Sequence, residues 1–266
     1  MVDTERIQKA AQFLLGERQA GKPFGPVPEP FAPRDVAEAY LMQEELQIHL
    51  EKLYGPVAGY KIALASPVMQ RMVGVDEPFV GGIFGNTIYH SPMTLRCADF
   101  VRLGIECEIA FELSEDLPAS GAPYNRDTIA RAIASAMTAF EVIDDRAKDY
   151  SKLSEQLLTE IADNASNAGI ILGSPITDWC KLDIVSARGT MVINDELIGE
   201  GHGSDVMGHP LESVAWLANM LARRGKSLAK GMIVMSGSIV PTKPLKSGDL
   251  AILSVDGLGE ATLTVS

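Results

Sequence analysis

The sequence contains few of the features that mark several common classes of protein. It has three cysteines in 266 residues, which cannot all pair within one chain, and none has zinc-finger spacing. No apolar run approaches the ~18 residues that cross a membrane, and the N-terminus lacks the apolar core of a signal peptide. We therefore expect a cytoplasmic protein without a membrane partner.

Basic residues are scarce relative to acidic ones. The chain has 23 Lys and Arg against 35 Asp and Glu, which gives a formal net charge of -12. This charge argues against nucleic acid or an anionic membrane surface as a partner. An anionic substrate would need a local cation in this protein, and a bound metal ion would supply one.

The sequence has enough apolar residues for a packed core, since 46% of the chain is hydrophobic. Helical spacing of apolar residues predicts helices over 4–19 and about 33–54, joined by a proline-rich connector. Many short strands and further helices follow, without the regular alternation of a Rossmann sheet or a TIM barrel. We predict an α+β fold with a helical N-terminal segment, 1–55, packed on a sheet domain, 56–266.

Four local predictions complete this outline. The glycine-rich residues 76–85 are predicted to form a turn and loop, and they lack the spacing of Walker or Rossmann phosphate loops. A helix is predicted over 127–137, followed by a short buried strand over 139–143. A hairpin turn is predicted at Asn194-Asp195, and an apolar helix over 210–224.

One predicted strand carries two carboxylates on one face. In Leu103–Glu112, apolar and acidic residues alternate with a period near two, so Glu106 and Glu108 point the same way. Carboxylates this close repel each other unless a cation intervenes, and hard ions such as Mg2+ or Mn2+ prefer oxygen ligands. The alternative is the solvent-exposed face of an edge strand, where acidic residues are common.

A third carboxylate lies within an apolar segment. Glu141 is flanked by Phe140 and Val142, and a carboxylate in such surroundings is costly unless it is paired or bound to a metal. The residues alone leave two alternatives open, a metal ligand and a salt bridge to Arg146 or Arg102.

Several short motifs follow one another in a characteristic order. They are Gly59-Tyr60-Lys61-Ile62, Gly74-Val75-Asp76-Glu77-Pro78, Glu106-Cys107-Glu108, Phe140-Glu141-Val142-Ile143-Asp144-Asp145-Arg146, Ala162-Asp163-Asn164-Ala165-Ser166, Gly208-His209-Pro210, Met235-Ser236-Gly237-Ser238 and Lys246-Ser247-Gly248-Asp249. Over nearly its whole length, the chain resembles the 2-keto-4-pentenoate hydratase and 4-oxalocrotonate decarboxylase family, which belongs to the fumarylacetoacetate hydrolase superfamily.

The resemblance implies a fold, a metal site and a reaction. The fold is a mixed β-roll of the fumarylacetoacetate hydrolase C-terminal-domain type with a helical N-terminal segment, and family members form homo-oligomers. Glu106, Glu108 and Glu141 are expected to hold Mg2+ or Mn2+, which binds a small 2-oxo acid. The expected reaction is hydration of a 2-hydroxy-2,4-dienoate through a metal-stabilised dienolate. The alternatives are decarboxylation or C–C bond hydrolysis of related 2-oxo acids, and a non-catalytic accessory or binding role.

The motifs also imply roles for polar residues around the ion. Lys61 is expected to contact the substrate and transfer protons, and the metal is expected to lower its pKa. The alternative is an ordinary exposed lysine on a strand. Asn164 and Ser166 are expected to orient water or substrate oxygens, and the alternative for both is capping of a turn.

Two further pairs of residues complete the predicted site. Asp144 is a candidate catalytic acid, and together with Arg146, a candidate for substrate binding, it is expected to fix Glu141 in place. Ser236 and Ser238 are expected to line the substrate pocket, and the alternative is a plain glycine turn between strands.

Two departures from family patterns bear on the reaction. Hydratases of the family commonly carry an acidic residue directly after the proline of the Asp-x-Pro motif, whereas here Pro78 is followed by Phe79. Neither Asp76 nor Glu77 matches that position, so the departure weighs against hydration. No early histidine matches the His–Glu pair of the hydrolase branch, which weighs against C–C bond hydrolysis.

Overall fold

The computed structural model of the chain describes residues 3–266. Its helices and strands are α1 Thr4–Gln19, α2 Val36–Tyr54, β1 Val57–Ala63, α3 Pro67–Val73, β2 Phe79–Phe84, β3 Ile88–His90, β4 Met93–Leu95, β5 Leu103–Leu113, α4 Arg126–Arg131, β6 Ile133–Asp144, α5 Leu153–Ala162, β7 Asn167–Leu172, β8 Arg188–Ile193, β9 Glu196–His202, α6 Pro210–Arg223, β10 Ile233–Pro244, β11 Leu250–Val255 and β12 Gly259–Val265. None of the helices in 3–266 combines the length and hydropathy needed to cross a membrane.

The strands form two mixed sheets. The larger has the order β2-β1-β10-β5-β6-β7-β3, and the smaller has the order β4-β12-β11-β8-β9. Strand β5 is hydrogen-bonded on both sides, antiparallel to β10 and to β6. The acidic strand is therefore central, and its interpretation as an exposed edge is wrong.

The two faces of the large sheet bury different groups. Ile105, Cys107 and Ile109 lie in the main core, together with residues of the small sheet. On the same face of β6, the Thr138 hydroxyl donates to the Gly259 carbonyl at 2.8 Å. The opposite face of β5 carries Glu106 and Glu108, followed by a second and smaller apolar cluster. The glutamates thus face away from the small sheet.

The N-terminal helices form as predicted because their ends are capped. The Asp3 side chain accepts from the Arg6 N–H at the start of α1, and Asp35 accepts from the Glu38 N–H at the start of α2. Helix α2 ends at Gly55, whose φ of +79° is easily adopted by glycine. Both helices and the mixed sheets confirm the predicted α+β class.

The prediction of a loop over 76–85 is wrong, because Phe79–Phe84 forms the buried strand β2 beside β1. The glycines that suggested a turn serve close packing instead. A Cβ at Gly81 would lie 2.5 Å from the Asn164 carbonyl oxygen, and one at Gly82 would lie 2.7 Å from Gln47 Nε2. Both glycines let other segments approach this strand.

The predicted helix over 127–137 is also wrong beyond its first turns. Helix α4 spans Arg126–Arg131, capped by Asn125, and β6 begins at Ile133. The backbone of β6 pairs with β5 along its whole length, and this ladder outweighs the local helical preference of an alanine-rich segment. The predicted hairpin turn at Asn194-Asp195 is confirmed.

Candidate metal centre

Three glutamates converge on one point of the large sheet. One carboxylate oxygen each from Glu106, Glu108 and Glu141 lies within 4.8 Å of the other two. The register of β5 and β6 explains this, because Glu106 is paired with Glu141 and Glu108 follows two residues later on the same face. Glu108 and Glu141 are 0% exposed, and Glu106 is partly buried.

The cluster is electrostatically unfavourable without a cation. Burial, reinforced by the charge of Glu141, raises the pKa of Glu106 to about 7. Burial and the charges of Glu141 and Glu106 raise the pKa of Glu108 well above its usual range. Glu108 Oε1 and Glu141 Oε2 are buried and have no hydrogen-bond partner among the described residues. Unpaired buried oxygens are costly, and a hard divalent ion prefers such a set of donors, so these residues fit one.

The other oxygens of the cluster are held by the protein. The Thr242 hydroxyl donates to Glu106 Oε1, and the Gly237 N–H donates to Glu108 Oε2 at 2.8 Å. Gly237 has a φ of +116° at an irregularity in the pairing of β10 with β5. The protein therefore orients one oxygen of each of these two carboxylates. The second oxygen of Glu108, Oε1, has no hydrogen-bond partner in the described part of the chain.

Glu141 follows the same pattern with different partners. Its Oε1 accepts from Asn167 Nδ2 at 3.1 Å and lies 3.1 Å from Lys61 Nζ, while Oε2 has no hydrogen-bond partner among residues 3–266. Lys61 is the salt-bridge partner of Glu141, whereas Arg102 pairs with Asp145. Sequence analysis missed Asn167, which is adjacent to a recognised motif but outside it.

Lys61 is 4% exposed, so it is not an exposed lysine. Burial alone would lower its pKa, but the charges of Glu141 and Glu106 outweigh burial and raise it. This direction is opposite to the lowered pKa expected beside a bound metal, because here only carboxylates face the ammonium. The role of Lys61 in proton transfer stays a prediction.

Asn164 is tied into the fold by its side chain. Its Oδ1 accepts from the Gly82 N–H at 2.7 Å and from Gln47 Nε2 at 2.9 Å, and its Nδ2 donates to the Gly82 carbonyl at 2.9 Å. These contacts join the turn to β2 and α2. They favour the structural alternative over contact with a substrate.

Ser166 belongs to a buried polar cluster with two residues that sequence analysis missed. Its hydroxyl accepts from Lys148 Nζ and donates to Glu160 Oε1, both at 2.9 Å, and Lys148 also pairs with Glu160. Burial alone would raise the pKa of Glu160, but the charge of Lys148 lowers it. Neither residue lies in a motif, and each looks in sequence like a surface charge.

The structure does not bring Asp144 and Arg146 to Glu141. Asp144 lies three residues beyond Glu141 on β6, so its side chain points to the other face of the strand, where it accepts from the Arg102 N–H at 3.0 Å. The Arg146 guanidinium pairs with Asp163 instead. The expected contact of this pair with Glu141 is not formed, and Lys61 and Asn167 hold Glu141 instead.

The two serines of β10 differ in their surroundings. The Ser236 hydroxyl is buried and has no hydrogen-bond partner in the described part of the chain. The Ser238 hydroxyl donates to the Val240 carbonyl within its own strand. The role of both in lining a pocket stays a prediction.

Phe79 lies on the same sheet face as Lys61. In the antiparallel pairing of β1 with β2, Lys61 is opposite Gly81 and Ala63 is opposite Phe79. Side chains two residues apart on a strand share a face, so the buried ring occupies the position where the family pattern has an acid. Phe79 therefore leaves this position without a carboxylate.

Known proteins resemble this chain over its whole length. Residues 83–266 match the family model described as fumarylacetoacetate (FAA) hydrolase C-terminal. The chain is 31% identical over 265 residues to a 2-keto-4-pentenoate hydratase of Burkholderia vietnamiensis strain G4, covering 99% of each. It is also 31% identical over 266 residues to a 2-hydroxyhexa-2,4-dienoate hydratase of Comamonas testosteroni, covering 99% of this chain and 98% of that protein.

Solved structures extend the likeness to the fold. The 4-oxalocrotonate decarboxylase from Pseudomonas putida G7, complexed with magnesium and adipate, superimposes with a TM-score of 0.90 at 26% identity, covering 100% of this chain and 99% of that one. The same enzyme complexed with calcium and acetate gives a TM-score of 0.89 at 27% identity. The predicted fold, with its helical N-terminal segment, and the family resemblance are confirmed. The chain belongs to the fumarylacetoacetate hydrolase family.

Proposed function

We propose that this protein is a metal-dependent lyase of small 2-oxo acids, and that it hydrates a 2-hydroxy-2,4-dienoate. One observation carries the proposal. Three glutamates on adjacent strands converge, and in residues 3–266 the buried oxygens Glu108 Oε1 and Glu141 Oε2 have no hydrogen-bond partner. The full-length relatives named as hydratases support the same conclusion.

The proposed ligands are Glu106, Glu108 and Glu141, and the proposed ion is Mg2+ or Mn2+. When bound, such an ion supplies Lewis-acid polarisation of the carboxylate and 2-oxo oxygens of the substrate. The protein contributes orientation, since contacts from Thr242 and Gly237 each hold one oxygen of a proposed ligand.

Lys61 is the proposed proton carrier. Ketonisation of the dienol moves a proton from the 2-hydroxyl oxygen to C5, and water then adds at C4 of the resulting enone while C3 gains a proton. The buried Nζ lies 3.1 Å from Oε1 of the proposed ligand Glu141, which supports this role. General acid–base groups contribute roughly 100- to 10,000-fold to such steps. The Ser236 hydroxyl is proposed as a polar contact for the substrate or the water.

Decarboxylation of a related 2-oxo acid is the second candidate. Phe79 lies on the same sheet face as Lys61, at the position where an acidic residue is expected to assist water addition. This substitution weighs against hydration. A decarboxylase is also among the solved structures that match the whole chain. We favour hydration because relatives that align with nearly the whole chain are named as hydratases.

A substrate panel tests the proposal. Metal-free protein is supplied with Mg2+ or Mn2+ and assayed on 2-hydroxypenta-2,4-dienoate, 4-oxalocrotonate, an acylpyruvate and oxaloacetate, with products identified by NMR. We expect metal-dependent formation of a 4-hydroxy-2-oxo acid. Release of CO2 from 4-oxalocrotonate without hydration would establish the second candidate. Metal binding without any turnover would instead favour the accessory role.

The proposal also includes a cytoplasmic homo-oligomer whose partner is the small-molecule substrate. Light scattering coupled to size-exclusion chromatography measures the stoichiometry directly. A monomer at all concentrations would contradict this part.

A further inference from the structure

Three consecutive residues before β7 adopt a conformation that is unusual for their types. The φ angles of Asn164, Ala165 and Ser166 are +56°, +54° and +58°. Residues other than glycine rarely adopt this left-handed region, and asparagine does so more easily than alanine or serine. Such a backbone persists only where the surrounding structure holds it in place.

The beginning of this left-handed turn is held by the N-terminal helices. Asp163 accepts from Arg18 Nε of α1 at 2.6 Å. The Asn164 side chain is bonded to Gln47 of α2 and to Gly82 of β2. Both helices of the segment 1–55 are thereby attached to the turn.

The end of the left-handed turn is held by a different set of residues. Lys148 and Glu160 are both bonded to the Ser166 hydroxyl and to each other. Lys148 Nζ also lies 4.8 Å from the centroid of the Phe24 ring, which belongs to the proline-rich connector. Each member of this cluster contacts the other two, which is typical of a group that fixes geometry rather than one that reacts.

The residue that follows the turn contacts the metal centre. Asn167 Nδ2 donates to Glu141 Oε1 at 3.1 Å and to the Gly169 carbonyl at 3.4 Å. Because the left-handed turn sets where Asn167 starts β7, it also sets the position of the amide that orients Glu141.

We propose that the left-handed turn Asn164–Ser166 is a positioning element for the metal centre, acting through Asn167 on Glu141. The inference rests on the proposed metal site. Ala165 is its most informative residue, since it makes no side-chain hydrogen bond. Valine at this position would keep every polar contact, while its β-branched side chain strongly disfavours the left-handed backbone.

Titration calorimetry of Mn2+ into metal-free protein tests the inference, together with thermal unfolding of the same samples. The variants are Asn167→Ala and Ala165→Val. Asp195→Val is the matched control, because Asp195 is also left-handed, with a φ of +66°, but lies in the exposed hairpin turn between β8 and β9.

We expect Asn167→Ala to weaken Mn2+ binding by about 10- to 100-fold. Ala165→Val should weaken it less, and Asp195→Val, which disfavours an equivalent backbone conformation away from the metal centre, should bind Mn2+ as the wild type does. Wild-type affinity in both site variants would overturn the inference and leave the proposed function standing. A loss of affinity that only follows a lower melting temperature would also overturn it. Absence of binding by the wild type would instead refute the proposed metal site.

Discussion

Lys61 Nζ lies 3.1 Å from Glu141 Oε1, although the two residues belong to strands that are not neighbours in the large sheet. Strands β10 and β5 lie between β1 and β6. Strands three positions apart in a flat sheet would be separated by roughly 14 Å, so this contact requires the sheet to curl. The curl creates a face on which a lysine and three glutamates share one buried site.

Removal of a proposed ligand should abolish tight metal binding. We expect Glu106→Gln and Glu141→Gln to lose most of their affinity for Mg2+ and Mn2+, because an amide offers a neutral oxygen in place of a charged one. Calorimetry measures the loss. Glu112→Gln is the control on the same strand, where Ser135 already donates to the carboxylate. Unchanged affinity in both site variants would refute the assignment.

Substitution of Lys61 should lower catalytic activity without weakening metal binding. We expect Lys61→Met to lower kcat by about 100- to 10,000-fold, since it removes the proposed proton carrier. Metal affinity should be retained or increased, because a positive charge near the ion is removed. Steady-state kinetics and calorimetry measure the two effects, with Lys52→Met on the exposed part of α2 as control. Equal losses of both properties would indicate a structural role.

The Lys148–Glu160 pair should contribute to stability in a pH-dependent way. The pKa of Glu160 is lowered from 4.5 in the folded protein, so its contribution is present above pH 4.5 and is lost as the pH falls through the folded-state pKa. The neutral double variant Lys148→Met/Glu160→Gln lacks this contribution. Urea unfolding at several pH values should show the difference in free energy of unfolding changing only below about pH 4.5. A difference that does not vary over this range would contradict the prediction.

Gly81 should tolerate no side chain. A Cβ there would lie 2.5 Å from the Asn164 carbonyl oxygen, which is backbone and cannot rotate away. We expect Gly81→Ala to lower the free energy of unfolding by about 1–3 kcal/mol, as overpacking generally does. Gly85→Ala is the matched control, since its nearest neighbour would be 3.7 Å away. Chemical denaturation measures both, and equal effects would show that close packing at Gly81 is unimportant.

The errors in secondary structure have a common cause. Residues 79–84 and 133–137 were predicted as loop and helix, yet both form strands of the large sheet. In each case small residues obscure the alternation of apolar and polar side chains that is typical of a strand. Hydrogen bonds to β1 or β5 decide the conformation instead. The end-capped helices and the Asn194-Asp195 hairpin were predictable, because their determinants lie within a few residues.

The sequence by itself determined the alternation of glutamates on β5, the N-terminal helices and the family. All three are properties of local spacing or of motif order along the chain. Only the tertiary structure decided that Glu141 meets Glu106, that Lys61 and Asn167 hold Glu141, and that a charged cluster at Ser166 is buried. These relationships depend on strand register and on the curl of the sheet, which arise from contacts between distant segments and leave no periodic signal in the chain.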